Sequence, residues 1–189
     1  MLRTLPQTRA TSQTYRLVGV LIMTLVTIVA ARVSIPMEPV PFTLQPLAML
    51  LAGMVLGSRD GALSQLIYVG LIALNLPFDA NMRGQAALFG PTGGYLLGFI
   101  VGAFVSGWLV ERGAQRLIWR WLAGAAGIAA LYLCGLPVLM LTRGLDLPTA
   151  WAAGAAPFLI PDLVKAVIAA AMTEAGRAAL LRTLQTPRA

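Results

Sequence analysis

Long apolar runs alternate with short breaks rich in proline, glycine and charge, and six runs stand out: residues 17–33, 40–56, 62–76, 95–110, 121–141 and 158–181. Apolar runs of this length read as transmembrane helices rather than as strands or amphipathic surface helices. Several are short against the ~20 residues that a bilayer core requires, so their ends must recruit flanking residues or the bilayer must thin. The pattern predicts an all-α, polytopic membrane protein: one compact bundle of six transmembrane helices, with residues 1–189 forming a single integral membrane domain.

Composition supports that solvent. The chain is 58% hydrophobic and 11% charged, whereas about a quarter of the residues of a soluble domain are charged. The net charge of +7 raises the question of a nucleic-acid partner. The arginines, however, are spread between apolar runs rather than gathered with aromatics on one face, so membrane topology and lipid explain the charge and no nucleic acid is expected. With the single cysteine Cys134 and no histidine, an internal disulfide is excluded and the usual zinc and iron ligand sets are missing. No metal or cofactor is expected.

Basic residues flanking transmembrane helices are retained on the cytoplasmic side. With the N-terminus inside, ten arginines collect there (Arg3, Arg9, Arg16, Arg59, Arg112, Arg116, Arg120, Arg177, Arg182 and Arg188) against Arg32, Arg83 and Arg143 outside. Both termini are therefore expected in the cytoplasm, with the protein multi-pass in the cytoplasmic (inner) membrane. The basic head and the Val29-Ala30-Ala31 stretch imitate a cleavable signal, but five further spans follow and the segment reads as a retained first helix.

This orientation places the chemistry. In PDLVK (161–165), Pro161 suits the first turn of the sixth helix, and Asp162 and Lys165 share one face near its outer end. Charges inside membrane segments are costly and mark a cavity or pathway; the alternative is a structural ion pair. Thr43 and Gln45 begin the second helix, and GPTGGY (90–95), with Thr92 and Tyr95, begins the fourth. Three helix N-termini would then point to one outer region, an arrangement suited to an anionic or hydrogen-bonding solute. The polar loop 77–89 is a candidate lid. Within it, Arg83 is available to a solute carboxylate or to Asp79, and Met82 and Phe89 to apolar cover or interfacial anchoring. Elsewhere, 124–130 is a small-residue packing surface, and Thr27 with Ala31 either docks a partner or packs within the bundle. The basic loop 111–120 needs no partner beyond anionic lipid.

What is missing narrows the mechanism. There is no G-x-x-x-x-G-K-[ST] loop, and Lys165 is the only lysine, so the chain has no ATP site of that kind. An intramembrane enzyme using Asp162 and Lys165 as acid and base is the competing class, but no nucleophile in a recognisable motif accompanies the pair.

The stretches VPFTLQ (40–45) continuing to Gly57, GPTGGYLLGF (90–99) and PDLVKA (161–166) resemble the BioY family, the biotin-specific substrate-binding membrane subunits (S components) of energy-coupling-factor vitamin transporters. The resemblance implies a six-helix S-component fold, capture of biotin from outside, and transport with a transmembrane coupling protein and ABC-type ATPases; a solitary biotin carrier is the alternative. It also implies that Asp162 and Lys165 bind polar groups of biotin; Gln45, Thr92 and Tyr95 are secondary candidates by motif position and by their place at the outer helix starts, and Arg83 is a candidate from the lid loop alone. The chain departs from the family pattern in DANMRG (79–84), where a glycine-rich tract is expected, and at Ile128, where asparagine often stands. The first-helix docking strip, usually alanine-rich in S components, is kept in part by Thr27 and Ala31.

Overall fold

The computed structural model describes residues 9–113 and 116–185, so Arg3 and Arg188 of the topology argument lie outside the described residues. In chain order the elements are α1 (Arg9–Arg32), β1 (Ser34–Ile35), β2 (Phe42–Thr43), α2 (Gln45–Leu56), α3 (Ser58–Ala73), a 3₁₀ turn (Gly84–Ala87), α4 (Gly93–Arg112), α5 (Leu117–Arg143), α6 (Leu147–Gly154) and α7 (Ala156–Gln185).

Each predicted run contains a helix, but the expected count of six becomes seven among the described residues. The addition is α6, whose start is fixed by Asp146: its carboxylate accepts from the Thr149 N–H at 3.1 Å, and a proline occupies the first turn. That hydrogen bond also holds the exposed Asp146 carboxyl below the ordinary carboxylate range. The second run is also shorter than predicted. Pro36, Pro39 and Pro41 exclude a helix before residue 42, and the chain instead forms an antiparallel ribbon pairing Ser34 with Thr43 and Ile35 with Phe42. Among the described residues four helices, α1, α4, α5 and α7, are long and apolar enough to cross a membrane; α2 is apolar but has only 12 residues.

Pro161 is a second correction. It lies six residues into α7 rather than in the first turn, and its missing N–H leaves the Pro157 carbonyl without its usual intrahelical donor. Asp162 and Lys165 therefore sit roughly two to two and a half turns inside the helix, beyond most of the reach of its terminal dipole.

Small residues set the helix spacing. Gly94, Gly98 and Gly102 recur every fourth residue along α4 and present backbone to α5. A Cβ at Gly98 would stand 2.9 Å from the Leu131 carbonyl oxygen, and one at Gly102 would stand 2.9 Å from the Gly127 oxygen. On α5, Gly124 and Gly127 receive Met54, Ala166 and Leu50, so the predicted small-residue surface is a packing surface. Between α2 and α3 only Gly57 intervenes, at φ 89°; Glu111 of α4 accepts from the Ser58 N–H at 3.0 Å and from its hydroxyl at 2.9 Å, capping α3 from a neighbouring helix.

Most polar side chains inside the bundle are paired, the buried Trp121 Nε1 being an exception. Thr27 and Ala31 are buried, and Thr27 exchanges hydrogen bonds with Gln65 of α3, while Thr24 donates to the Ser64 carbonyl at 3.0 Å. The first-helix strip is thus an internal contact and offers no docking face. At the same end as the start of α1, Arg16 grips Asp60 through two nitrogens at 2.6 and 2.8 Å. Arg120 Nε stands 2.9 Å from Glu174 Oε2, an ion pair off the line of a hydrogen bond, and Arg177 holds the other oxygen of Glu174 at 2.9 Å. The loop 111–120 therefore does have protein partners, through Glu111 and Arg120; Arg112 meanwhile lies 3.9 Å over the Trp108 ring.

Close approach of α4 and α5 is a direct target. Gly98→Leu is expected to lower stability by about 2–3 kcal/mol through overpacking. Gly70→Leu, with no atom within 4 Å of its Cβ position, serves as the control and leaves stability near the parent's. Thermal unfolding in detergent distinguishes the two.

Candidate functional site

At the end of the bundle opposite Arg16 and Arg120, the ribbon, the 77–92 connection and the ends of α2, α4, α5, α6 and α7 enclose a cavity. Its empty volume, open mouth included, is about 590 Å³. Its walls are mainly apolar, with Leu96, Phe99, Leu131 and Phe158 among them.

The polar head of this cavity is the Asp162–Lys165 pair. The two side chains face it from α7, yet the residues are only 3% and 5% exposed. Lys165 Nζ donates to Asp162 Oδ1 at 2.7 Å and to the Thr43 carbonyl at 2.7 Å, and it lies 4.1 Å from the centroid of Phe42. Tyr132 of α5 donates to Asp162 Oδ2 at 2.6 Å. Both charges are thus desolvated but compensated, as a stable buried pair requires. The carboxylate keeps further acceptor lone pairs and the ammonium a third N–H, so the pair can still bind a solute that offers a donor beside an acceptor.

The other expected residues divide. Gln45 starts α2 and lines the cavity; its backbone N–H donates to Thr43 Oγ1 at 3.2 Å, and its Nε2 donates to Tyr68 at 2.5 Å. Thr92 and Tyr95 also line it. The Tyr95 hydroxyl is committed to the Gly154 carbonyl at 2.8 Å, so the tyrosine contributes its ring to the wall while tying α4 to α6. Gly135 leaves room for that ring, since a Cβ there would meet Tyr95 Cδ1 at 2.5 Å. Arg83 is outside the lining; its Nη2 donates to Thr92 Oγ1 at 3.3 Å, beside the cavity.

The 77–89 loop covers one flank, through Asp79, Ala80 and Asn81. Asp79 does not pair with Arg83. Its carboxylate accepts the N–H groups of Asn81 at 3.1 Å and Gly84 at 2.8 Å, folding the loop on itself. Arg32, at the end of α1, donates to the Pro77 and Asp79 carbonyls, and Tyr68 donates to the Phe78 carbonyl at 3.1 Å. Met82 and Phe89 are 66% and 76% exposed and do not line the cavity. The expected convergence of three helix starts holds for α2 and α4, whereas α7 contributes its interior.

Sequence reasoning missed Tyr132 and Tyr68. A signal was present: a tyrosine inside an apolar helix must find a hydrogen-bond partner. What the sequence does not display is which partner.

A bundle of apolar helices around an enclosed pocket, headed by a compensated pair of charges, defines a solute-binding membrane protein. The chain belongs to the BioY family, whose profile matches residues 6–182. It is 45% identical to the "Biotin transporter BioY" of Thermotoga maritima over 150 residues, covering 79% of this chain and 88% of the relative. Identity is 39% to the Rhizobium etli "Biotin transporter BioY", with 79% and 82% covered. It is 40% to the Pyrococcus horikoshii "Probable biotin transporter BioY", with 78% and 87% covered. The fold matches that of the crystal structure of "the S-component for biotin from an ECF-type ABC transporter" with a TM-score of 0.83 over 91% of this chain and 95% of that one, at 23% identity.

Breaking the buried pair has a definite cost. Lys165→Met leaves the Asp162 carboxylate with Tyr132 alone and is expected to destabilise the ligand-free protein by about 3 kcal/mol. Adding Asp162→Asn restores part of the loss, and thermal unfolding of the single and double variants checks both expectations.

Proposed function

We propose that the chain binds biotin in this cavity and is the substrate-binding membrane subunit of a vitamin uptake transporter. The observation that carries the proposal is the Asp162–Lys165 pair, buried yet facing an apolar-walled cavity. Family membership and the names of the relatives support the substrate.

Biotin's chemistry fits such a head. Its ureido ring presents a carbonyl beside an N–H: the Lys165 ammonium donates to the carbonyl and the Asp162 carboxylate accepts the N–H, both through charge-assisted hydrogen bonds. The apolar walls take the thiophane ring and the valeryl chain. Thr92, with Arg83 behind it, stands for the terminal carboxylate, which a guanidinium pairs well. Tyr95 packs its ring against the ligand.

Transport requires energy that this chain has no phosphate loop to collect. A transmembrane coupling protein and ABC-type ATPases supply it, as expected for an S component. In the cytoplasmic membrane α1 to α5 and α7 make six crossings, α2 and α3 as a short hairpin, with α6 at the outer end and both termini in the cytoplasm. The excess of arginine at the end opposite the cavity supports this orientation.

Equilibrium binding to the purified protein in detergent tests the substrate. Biotin is expected to bind tightly to the parent and more than about tenfold less tightly to folded Asp162→Asn and Lys165→Met, a loss above ~1.4 kcal/mol. A folded parent that ignores biotin sinks the proposal; two folded variants that bind like the parent reduce the pair to a structural role. Orientation is read by tagging each terminus in intact cells, where a C-terminal tag reached from outside rules out an even number of crossings.

A further inference from the structure

A cyclic urea has two N–H groups, one on each side of its carbonyl, pointing to opposite edges of the ring. Asp162 and Lys165, neighbours on one helix face, match a single edge: one N–H with the carbonyl. The second N–H needs an acceptor elsewhere in the wall, because a buried donor left unmade costs its full desolvation.

Gln45 lines the cavity and is buried. A glutamine amide can turn either its oxygen or its NH₂ toward a ligand, so the end presented must be fixed by a partner. Here the direction is set from behind the wall. The Phe78 carbonyl can only accept; Tyr68, fully buried and outside the cavity lining, donates to it at 3.1 Å. Having spent its proton there, the Tyr68 oxygen can only accept, and what it accepts is Gln45 Nε2–H at 2.5 Å. Gln45 Oε1 is left with no hydrogen bond from any described residue. The relay from the Phe78 carbonyl through Tyr68 thus makes Gln45 an acceptor.

We propose that Tyr68 is a positioning residue that holds Gln45 Oε1 as the acceptor for the second ureido N–H, so that the cavity selects ligands with an N–H on each side of a carbonyl. This rests on the reading of biotin as the ligand. Three groups on two helices, Asp162 and Lys165 of α7 and Gln45 of α2, then match the two donors and one acceptor of the ring.

The test is a set of binding titrations with purified full-length protein, using biotin and its two isomers monomethylated on a ureido nitrogen. Gln45→Leu and Tyr68→Phe are each expected to weaken biotin about five- to tenfold, the scale of one neutral hydrogen bond. The double variant should lose no more than Gln45→Leu alone, because Tyr68 acts through Gln45. Gln45→Glu, which keeps an acceptor but loses the N–H given to Tyr68, should bind biotin more tightly than Gln45→Leu. One methylated isomer should bind parent and Gln45→Leu equally. Additive losses in the double variant, or a Gln45→Leu protein that binds biotin like the parent, overturn the proposal. Where Tyr68→Phe fails to fold, Gln45→Glu against Gln45→Leu decides alone, and equal losses overturn it. A folded parent that does not bind biotin overturns the underlying reading and this one with it, an outcome distinct from all the others.

Discussion

A lysine and an aspartate buried in an apolar bundle can stay charged only if each is compensated, and that requirement organises the cavity end of this molecule. Asp162 receives Tyr132 from α5 and Lys165 from its own helix. Lys165 in turn reaches the Thr43 carbonyl and the Phe42 face, and so recruits the ribbon that precedes α2. Removing any one partner would leave charge uncompensated in a medium that cannot solvate it. The pair therefore fixes α5, α7 and the ribbon around one point, and that point presents oriented donors and acceptors to the cavity.

Orientation without reorganisation is also the theme of the second layer. Tyr95 spends its hydroxyl on Gly154, Tyr68 on Phe78, and Asp79 its carboxylate on its own loop. None of these groups is free to collapse onto Asp162 or Lys165 when the cavity is empty. Such preorganisation lowers the ordering cost of binding, which otherwise consumes much of the contact energy.

The helix bodies were legible in the sequence because apolar run length is a strong signal, and PDLVK was legible because charge in such a run is rare. The breaks were less so. Run length alone extended the second helix back through Val40, where three prolines impose a ribbon, and it passed over α6 although Asp146 and Pro148 carry a helix-start signal. Pro161 was read as a helix start because proline is favoured there, yet packing extends α7 by five residues in front of it. At the site, charge within an apolar run pointed to Asp162 and Lys165, and motif position at the outer helix starts to Gln45, Thr92 and Tyr95; all five line the cavity. Arg83 was chosen for its charge and lies outside the lining. The tyrosine partners depended on which helices become neighbours, and a one-dimensional pattern does not encode that directly.

The single-residue join at Gly57, together with the cap that Glu111 places on α3, has a mechanical consequence. It binds α2, α3 and α4 into one block, to which the glycine seam adds α5. Shearing that block means separating close-packed backbones, and lifting the ribbon strips a buried ammonium of the Thr43 carbonyl, whereas lifting the 77–89 loop breaks only a handful of hydrogen bonds. Compliance is thus concentrated in the 77–89 loop, on one flank of the cavity mouth.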